Sequence, residues 1–260
     1  MIAVHLPDGS IREVPSGTTP LDIANSISPR LAAASVVARV TPLGGTATQS
    51  DGKASTGEDS GEASMYAAED AAAPRLVDLS APLSVSVKLE LLKENDPDAL
   101  KVLRHSAAHV LATAVLELFP ETKLGHGPAT DSGFFYDFYR EKPFTPEDLA
   151  AIETKMAAVV ARNDPFIHEF APRDKSLEGF ERDGDFMKTH FVTKFTEPGA
   201  EVSFYRNGNF VDFCRGPHVP STGRVKAFKV GPLGRLLARR REESPVATRL
   251  RHGLLFAKGS

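Results

Sequence analysis

Four side chains of this sequence are of types that could bind a metal ion or move protons, and they occur as two spaced pairs. His105 and His109 are four residues apart, which on a helix places both imidazoles on one face. Cys214 and His218 lie in the sequence CRGPH, where the Gly-Pro pair predicts a turn that brings thiolate and imidazole together. Three imidazoles and one thiol suit tetrahedral zinc, or a proton-transfer site without a metal.

Both pairs also have structural explanations that involve no chemistry. Two histidines at helical spacing are more often core or surface residues than ligands, and a lone cysteine is often an inert, buried, small apolar residue. The presence of both pairs in one chain favours a shared site. Another histidine, His126 in LGHGP, could line a pocket, although its flanking glycines equally indicate a permissive loop. The histidines without a partner at useful spacing are predicted to be structural or surface residues: His5, His168, His190 and His252.

The first pair is predicted to lie on a long buried helix. Apolar residues recur at helical spacing from about Ala99 to Phe119, and beyond Ala107 the segment is apolar on nearly every side. The sequence after this helix predicts a strand over 134–139 and a helix that begins at a cap, Thr145-Pro146-Glu147-Asp148, and ends near residue 162. It also predicts two strands around Asn207-Gly208. We therefore predict a second domain, residues 96–230, of mixed α+β structure, with an antiparallel sheet packed against the long helix.

A smaller domain is predicted before it, over residues 1–95. Residues 1–16 alternate as strand, turn and strand, a short helix begins at Pro20, and strand-like runs occupy 34–40 and 76–92. Residues 44–73 consist mostly of Gly, Ser, Thr, Ala and acidic residues, with too few large apolar side chains to offset the entropy of ordering. We expect a disordered insertion within one domain, and an α+β fold class for the whole chain.

The composition of the chain indicates where the protein is located more clearly than what it does. A formal net charge of -3 indicates no polyanion partner by itself, so any nucleic-acid contact must come from local basic patches. The single cysteine has no disulfide partner within the chain and fits a reducing compartment. The N-terminus lacks a basic region leading into an apolar stretch, and nowhere do eighteen apolar residues run together, which predicts no signal peptide and no membrane span. We expect a cytoplasmic protein.

Three segments around the candidate residues resemble the motifs of a known family. They are HSAAHVLATAV (105–115), LGHGPATDSGFFYDF (124–138) and FVDFCRGPHVPSTG (210–223). They are similar to the editing domain of threonyl-tRNA synthetases, also called the second additional domain, which is itself similar to the alanyl-tRNA editing domains. The opening strand, turn, strand and helix resemble the β-grasp-like TGS module that precedes that domain in the family. The resemblance runs from residue 1 to about 230.

The resemblance implies roles for six residues. They are His105, His109, Lys188, Asp212, Cys214 and His218. The three histidines and the cysteine would line the editing pocket and are candidate ligands for Zn²⁺. Lys188, in GDFMK, matches the family's pocket lysine, and Asp212 stands where the family has an acidic residue beside the cysteine. We assign His105 to holding water or moving its proton, and Lys188 to stabilising the oxyanion or steering the ribose.

The implied reaction is hydrolysis of the ester that joins serine to the terminal ribose of tRNA(Thr). A synthetic site that accepts threonine cannot reject serine strongly, since serine lacks only one methyl group, a difference worth about 1–3 kcal/mol. A second, smaller pocket that admits serine but clashes with the threonine methyl supplies the missing discrimination. The implied partner is therefore a tRNA acceptor end carrying serine.

The last thirty residues, 231–260, depart from the family. From Arg224 to Lys258 there are ten Lys or Arg against only Glu242 and Glu243, and such a basic tail could bind RNA phosphates. We prefer a frame slip between about Lys229 and Arg235, because codons for RLLARRR can be written that spell the family-like AYWRGD from their second base. This hypothesis predicts a disordered missense tail, and the nucleotide sequence of the gene tests it.

The resemblance does not extend to the family's catalytic core or anticodon-binding domain. We therefore expect no ATP site in this chain and no ligation of threonine. Two alternatives to an editing hydrolase stay open. One is a non-catalytic module in which the four ligands hold structural zinc and the TGS unit binds RNA or a partner. The other is an inert truncated fragment.

Overall fold

A computed structural model describes residues 1–44, 73–131, 133–235 and 247–253. These residues form two compact units, one made of Met1–Val102 with Arg215–Pro220, the other of Leu103–Cys214 with the residues from Ser221 onward. The sequence placed a domain boundary near residue 95, and the helix that follows it begins at Pro97. Within the described residues, no helix combines the length and the apolar character needed to cross a membrane.

The first unit is a five-stranded sheet with two short helices. Its elements are β1 (Ile2–His5), β2 (Ile11–Val14), α1 (Pro20–Ile27), α2 (Pro29–Ala34), β3 (Ser35–Pro42), β4 (Arg75–Val77) and β5 (Val87–Lys93). The strand order is β2-β1-β5-β3-β4, in which β1 and β5 are parallel and the other neighbours are antiparallel. The opening hairpin, the first helix and the third strand confirm the pattern predicted from the sequence.

Alternation along the strands produces the core of this unit. Ile2, Val4 and Leu6 face the same side as Val87 and Leu89, and all five side chains are buried. Helix α1 begins where expected, because the Thr19 hydroxyl accepts from the Asp22 N–H while the Asp22 carboxylate accepts from the Thr19 N–H.

Two details of the first unit differ from the prediction. The strand-like run 76–92 is divided into β4 and β5, because Pro82 and the turn around Leu79 interrupt it. Helix α2 was not predicted; Ser28 caps it, its side chain accepting from the Arg30 N–H, and Pro29 occupies its first turn. The predicted disordered insertion falls almost wholly on residues 45–72, which lie outside the described residues.

The second unit contains the long helix and two antiparallel sheets. Its helices are α3 (Pro97–Leu118, which starts in the first unit), α4 (Pro146–Arg162), α5 (Arg173–Arg182), α6 (Phe186–Phe195) and a 3₁₀ turn at Thr222–Arg224. Its strands are β6 (Lys123–Leu124), β7 (Ala129–Thr130), β8 (Gly133–Tyr139), β9 (Ile167–Pro172), β10 (Glu201–Asn207), β11 (Phe210–Phe213), β12 (Lys229–Arg235) and β13 (Ala247–Gly253). One sheet has the order β11-β10-β9 and the other β12-β13-β8-β6, with β7 also paired to β8.

Helix α3 is largely buried in this unit, as the sequence predicted. From Ala107 to Val115 every residue is buried, because the helix packs against the aromatic side chains of β8 and the apolar face of α4. Helix α4 is held at its start by a capping box between Thr145 and Asp148, and it ends at Asn163, whose φ of 56° lies in the left-handed region. The mixed α+β class is thus confirmed.

The tail differs from the prediction wherever it is described. We expected 231–260 to be disordered, but the backbone forms β12 and β13, and β13 pairs with β8 from Ala247 opposite Tyr139 to His252 opposite Phe134. Strand β13 takes the edge of β8 opposite to β6, so the backbone groups of β8 are hydrogen-bonded on both sides and the tail is held in the sheet. Residues 236–246 and 254–260 lie outside the described residues.

Candidate functional site

Helix α3 presents both histidines of the first pair on one face. The ring centroids of His105 and His109 are 5.1 Å apart and the rings meet edge to face. His109 is buried, with the Phe210 ring 5.5 Å away, whereas His105 is partly exposed. The four-residue spacing therefore produces the shared face that the sequence predicted.

Strand β11 brings the cysteine to these histidines. Cys214 follows the last residue of β11, is buried and forms no disulfide, and its Sγ lies 3.0 Å from Nε2 of His105. The other ring nitrogen of His105, Nδ1, lies 3.3 Å from the Gly127 carbonyl oxygen. Because a carbonyl can only accept, this contact assigns the proton of neutral His105 to Nδ1 and leaves Nε2 as the basic nitrogen facing Cys214.

Lys188 and Asp212 form a buried ion pair in the same cluster. The Lys188 ammonium donates to Oδ1 of Asp212 and also to the Gly125 carbonyl oxygen, at 3.2 Å in the second case. The second carboxylate oxygen of Asp212 accepts from the Tyr136 hydroxyl and lies 3.8 Å from Nε2 of His109. Lys188 lies in the first turn of α6, which Asp185 caps by accepting from the Lys188 N–H, and this turn directs the lysine side chain into the cluster.

The charges of the cluster are balanced by this arrangement. Burial alone raises the pKa of the Asp212 carboxyl, but the Lys188 ammonium, His109 and the Tyr136 hydroxyl together outweigh it, so this pKa lies below its usual range. Burial lowers the pKa of His109 to about 3 and also lowers that of His105, although Asp212 opposes both shifts. Both imidazoles are therefore neutral near pH 7, which is the form that binds a metal or accepts a proton.

Three residues of the cluster were not found from the sequence. Tyr136 lies on β8 and reads there as an ordinary core aromatic, while Gly125 and Gly127 contribute only backbone carbonyls. A Cβ on Gly127 would lie 2.2 Å from Cδ2 of Tyr136, so the loop can approach the ring only because this residue has no side chain. The flanking glycines of His126 were the available signal, and their role is to let the backbone come close.

His126 itself is not among the clustered ligands. Its ring contacts those of Phe135 and Phe191, and its Nδ1 is 3.8 Å from the Asp137 carboxylate. His168 is exposed, its Nε2 lies 2.6 Å from the Ser203 hydroxyl, and its ring stacks on Tyr205. These contacts fit the structural or surface role that the sequence predicted for His168.

The donor set of the cluster fits a zinc ion. In the second unit, ligand atoms of His105, His109 and Cys214 lie within 4.8 Å of one another. In a tetrahedral zinc site such atoms stand roughly 3.3–3.8 Å apart, so a modest contraction would close the set around an ion. Zinc-binding histidines usually donate their second ring N–H to a carbonyl or carboxylate, as His105 does to the Gly127 carbonyl through Nδ1. His218, the fourth ligand expected from the sequence, lies in the segment Arg215–Pro220 of the first unit, where its backbone N–H donates to an Asp78 carboxylate oxygen at 2.7 Å.

Comparisons with known proteins identify both parts of the chain. Residues 2–93 match the TGS domain, and residues 202–251 match the family described as the threonyl and alanyl tRNA synthetase second additional domain.

Several curated relatives are threonine–tRNA ligases. The one from Acidobacterium capsulatum is 59% identical over 258 residues, which is 99% of this chain and 38% of the relative. Those from Rickettsia akari and Bordetella petrii are 39% and 41% identical, each over 88% of this chain and 31% of the relative. The chain thus spans only about a third of the length of these relatives.

The matches continue past the point where a frame slip was inferred. The second-additional-domain match ends at residue 251, and the Acidobacterium alignment covers nearly the whole chain. The frame-slip hypothesis stays a prediction about the nucleotide sequence. The chain therefore carries a TGS domain and a threonyl and alanyl tRNA synthetase second additional domain, and along 99% of its length it is similar to part of a threonine–tRNA ligase.

Proposed function

We propose that this chain hydrolyses tRNA(Thr) wrongly charged with serine and spares the threonyl form. The observation that carries the proposal is the convergence of His105, Cys214, Lys188 and Asp212 in one buried cluster of the second unit. Perturbed titratable groups gathered with a thiol and an ammonium are typical of a reactive site. The similarity to threonine–tRNA ligases supplies the substrate class.

The reaction requires few groups. A water oxygen bonds to the ester carbonyl carbon, the bond from that carbon to the ribose oxygen breaks, and the water's proton ends on the ribose oxygen. Negative charge develops on the carbonyl oxygen meanwhile. The residues must therefore hold water, move one proton and stabilise one oxyanion.

Within the cluster, these tasks divide between two side chains. His105 has a basic Nε2, since its Nδ1–H is held by the Gly127 carbonyl, and this nitrogen can orient the water and accept its proton. The Lys188 ammonium can stabilise the oxyanion or steer the ribose, and Asp212 holds that ammonium in place. Tyr136 in turn orients Asp212 through its hydroxyl.

If zinc binds, His105, His109, Cys214 and His218 would hold it, and the ion would supply Lewis acidity and order to the site. A closed set of four protein ligands leaves no position for substrate, which favours the alternative of a structural zinc module. Metal analysis of the purified chain, together with a deacylation assay, distinguishes the editing hydrolase from the structural zinc module. The structural module requires one zinc per chain and no deacylation. The lone cysteine makes the cytoplasm our proposed location for either function.

The decisive assay is single-turnover deacylation with the chain in excess over seryl-tRNA(Thr) or threonyl-tRNA(Thr). We expect the seryl ester to be hydrolysed faster, and we expect His105→Ala to slow it by about 10²–10⁴-fold, the usual contribution of a general acid–base group. His190→Ala is the matched control, because His190 is exposed and lies outside the cluster. Equal rates for both esters, or an unchanged rate for His105→Ala, would contradict the proposal.

A further inference from the structure

Cys214 lies at a point where the sheet gives its backbone little support. It follows the last residue of β11, and β11 is an edge strand that pairs with β10 alone among the described strands. The next residues along the chain, Arg215–Pro220, belong to the first unit. The end of an edge strand is held by few ladder hydrogen bonds and opens more easily than a strand centre. The position of the thiol beside His105 therefore depends on contacts at this strand end.

Ser203 of β10 makes two contacts with Cys214. The Cys214 N–H donates to the Ser203 carbonyl oxygen at 3.0 Å, which extends the ladder by one residue. The Ser203 hydroxyl donates to the Cys214 carbonyl oxygen at 2.6 Å. Any residue on β10 could make the first bond through its backbone, but the second bond requires a hydroxyl side chain at position 203. Ser203 therefore holds both backbone polar groups of Cys214.

His168 of β9 orients that hydroxyl. Its Nε2 lies 2.6 Å from Oγ of Ser203. Because Ser203 Oγ gives its single proton to the Cys214 carbonyl, it must accept from His168, which assigns the proton of neutral His168 to Nε2. The His168 ring is itself held against Tyr205, a buried residue, with the two rings 4.4 Å apart and nearly parallel. A line of hydrogen bonds thus runs from β9 through β10 to the backbone of Cys214.

This line ends at the reactive part of the cluster. The Cys214 Sγ lies 3.0 Å from Nε2 of His105, while the Gly127 carbonyl holds the opposite nitrogen of that ring. The thiol therefore fixes one side of the nitrogen that we assign to holding water. A Cys214 backbone that shifted would move the thiol and change the space in which this water must stand.

We infer that Ser203 and His168 are positioning residues that fix the end of β11, so that the Cys214 thiol stays against Nε2 of His105. The effect on catalysis rests on the proposed function. The effect on the thiol involves no substrate, so it can be measured whether or not the chain hydrolyses an ester.

The first test is the rate at which iodoacetamide alkylates the whole chain, measured by intact mass with a chelator present to keep metal ions off the thiol. Cys214 is the single cysteine of the sequence, so each added group reports on this residue. Because the thiol is buried, it reacts through local opening of the strand end. Ser203→Ala removes one hydrogen bond from the closed form and should raise the alkylation rate by about 5-fold.

Conservative variants distinguish the hydrogen bonds from packing. Ser203→Thr keeps the hydroxyl and should react at the wild-type rate. His168→Phe keeps a ring beside Tyr205 but lacks the donor, so its rate should lie between those of the wild type and Ser203→Ala. His168→Gln keeps an N–H donor and should return towards the wild-type rate.

Two control variants lie elsewhere in the second unit. Ser176→Ala removes a serine hydroxyl that donates to the Pro172 carbonyl on α5, and His190→Phe replaces an exposed histidine on α6. Both should be alkylated at the wild-type rate. Alkylation of Ser203→Ala that is no faster than that of Ser176→Ala, or no faster than that of Ser203→Thr, would overturn the inference.

Single-turnover deacylation of seryl-tRNA(Thr) by the same variants separates this inference from the proposed function. At saturating protein, Ser203→Ala should lower the rate by about 5-fold without changing the half-saturating concentration, and Ser203→Thr should restore the rate. If alkylation follows the expected order but the wild-type chain hydrolyses nothing, the editing function is wrong and the positioning of the thiol stands. If the wild-type chain hydrolyses the ester and Ser203→Ala matches it, the editing function stands and the positioning role is wrong.

Discussion

Replacing Lys188 by methionine should strongly destabilise the second unit, because it leaves the Asp212 carboxylate buried without its cation. The two side chains are 5% and 4% exposed, so solvent cannot take over the role of the ammonium. Breaking such a buried pair by removing one partner typically costs about 3–5 kcal/mol. Tyr136 and His109 remain beside Asp212 and should keep the loss near the lower end of that range.

Urea denaturation followed by circular dichroism measures this loss as a change in the free energy of unfolding. Lys194→Met is the matched control, since Lys194 is exposed on the same helix and should change the free energy of unfolding by less than about 0.5 kcal/mol. Adding Asp212→Asn to Lys188→Met removes the unpaired charge, and we expect this double variant to regain at least about half of the lost stability.

The effect of pH checks the electrostatic cause. In the wild-type chain the pKa of Asp212 is lowered, so its contribution to stability is present above the ordinary carboxyl range and is lost as pH falls through it. In Lys188→Met the ammonium is gone and burial should raise the pKa of Asp212. Its carboxylate is then protonated as pH falls, which removes the cost of the unpaired buried charge. The difference between variant and wild type should therefore shrink on acidification. A loss below about 1 kcal/mol at neutral pH, or equal to that of Lys194→Met, would refute the reasoning.

Two further predictions concern the elements that build the site. Gly127→Ala should lower both the stability of the unit and the rate of deacylation, since the new Cβ would lie 2.2 Å from the Tyr136 ring. Thermal melting and single-turnover rates measure the two effects. Unchanged values for both would show that the loop can shift to accept the side chain without cost. Thr145→Ala should lower the free energy of unfolding by about 1 kcal/mol, because the α4 cap is lost. Thr154→Ala, in the middle of that helix, is the control and should be neutral or slightly stabilising. Urea denaturation measures both variants, and equal losses of stability would contradict a capping role for Thr145.

The sequence predicted the parts of the site whose geometry is local. The spacing of His105 and His109 fixes their shared face, because the helix period is the same in every protein. The turn at Asn207-Gly208 is equally local, since Gly208 has a φ of 59°, a conformation that glycine adopts without strain. Resemblance to a family added Lys188 and Asp212.

What the sequence could not predict depends on packing between distant segments. Tyr136 has the pattern of any core strand residue, and only the position of Asp212 across the fold turns it into a hydrogen-bond donor. Helices α5 and α6 were missed because α5 buries none of its residues and α6 carries apolar residues without a clear helical stripe. Every residue has a backbone carbonyl, so the sequence does not show that those of Gly125 and Gly127 contact Lys188 and His105, and these contacts are seen only in the folded chain.

The pairing of His105 with Cys214 also sets an order of events during translation, because the two residues are 109 positions apart in the chain. At about 5–20 residues per second, a ribosome makes the histidine roughly 5–20 s before the cysteine. During nearly all of that interval the nascent chain has His105 but lacks Asp212, Cys214 and His218. If the chain deacylates tRNA as proposed, that activity can begin only after Cys214 has left the ribosome.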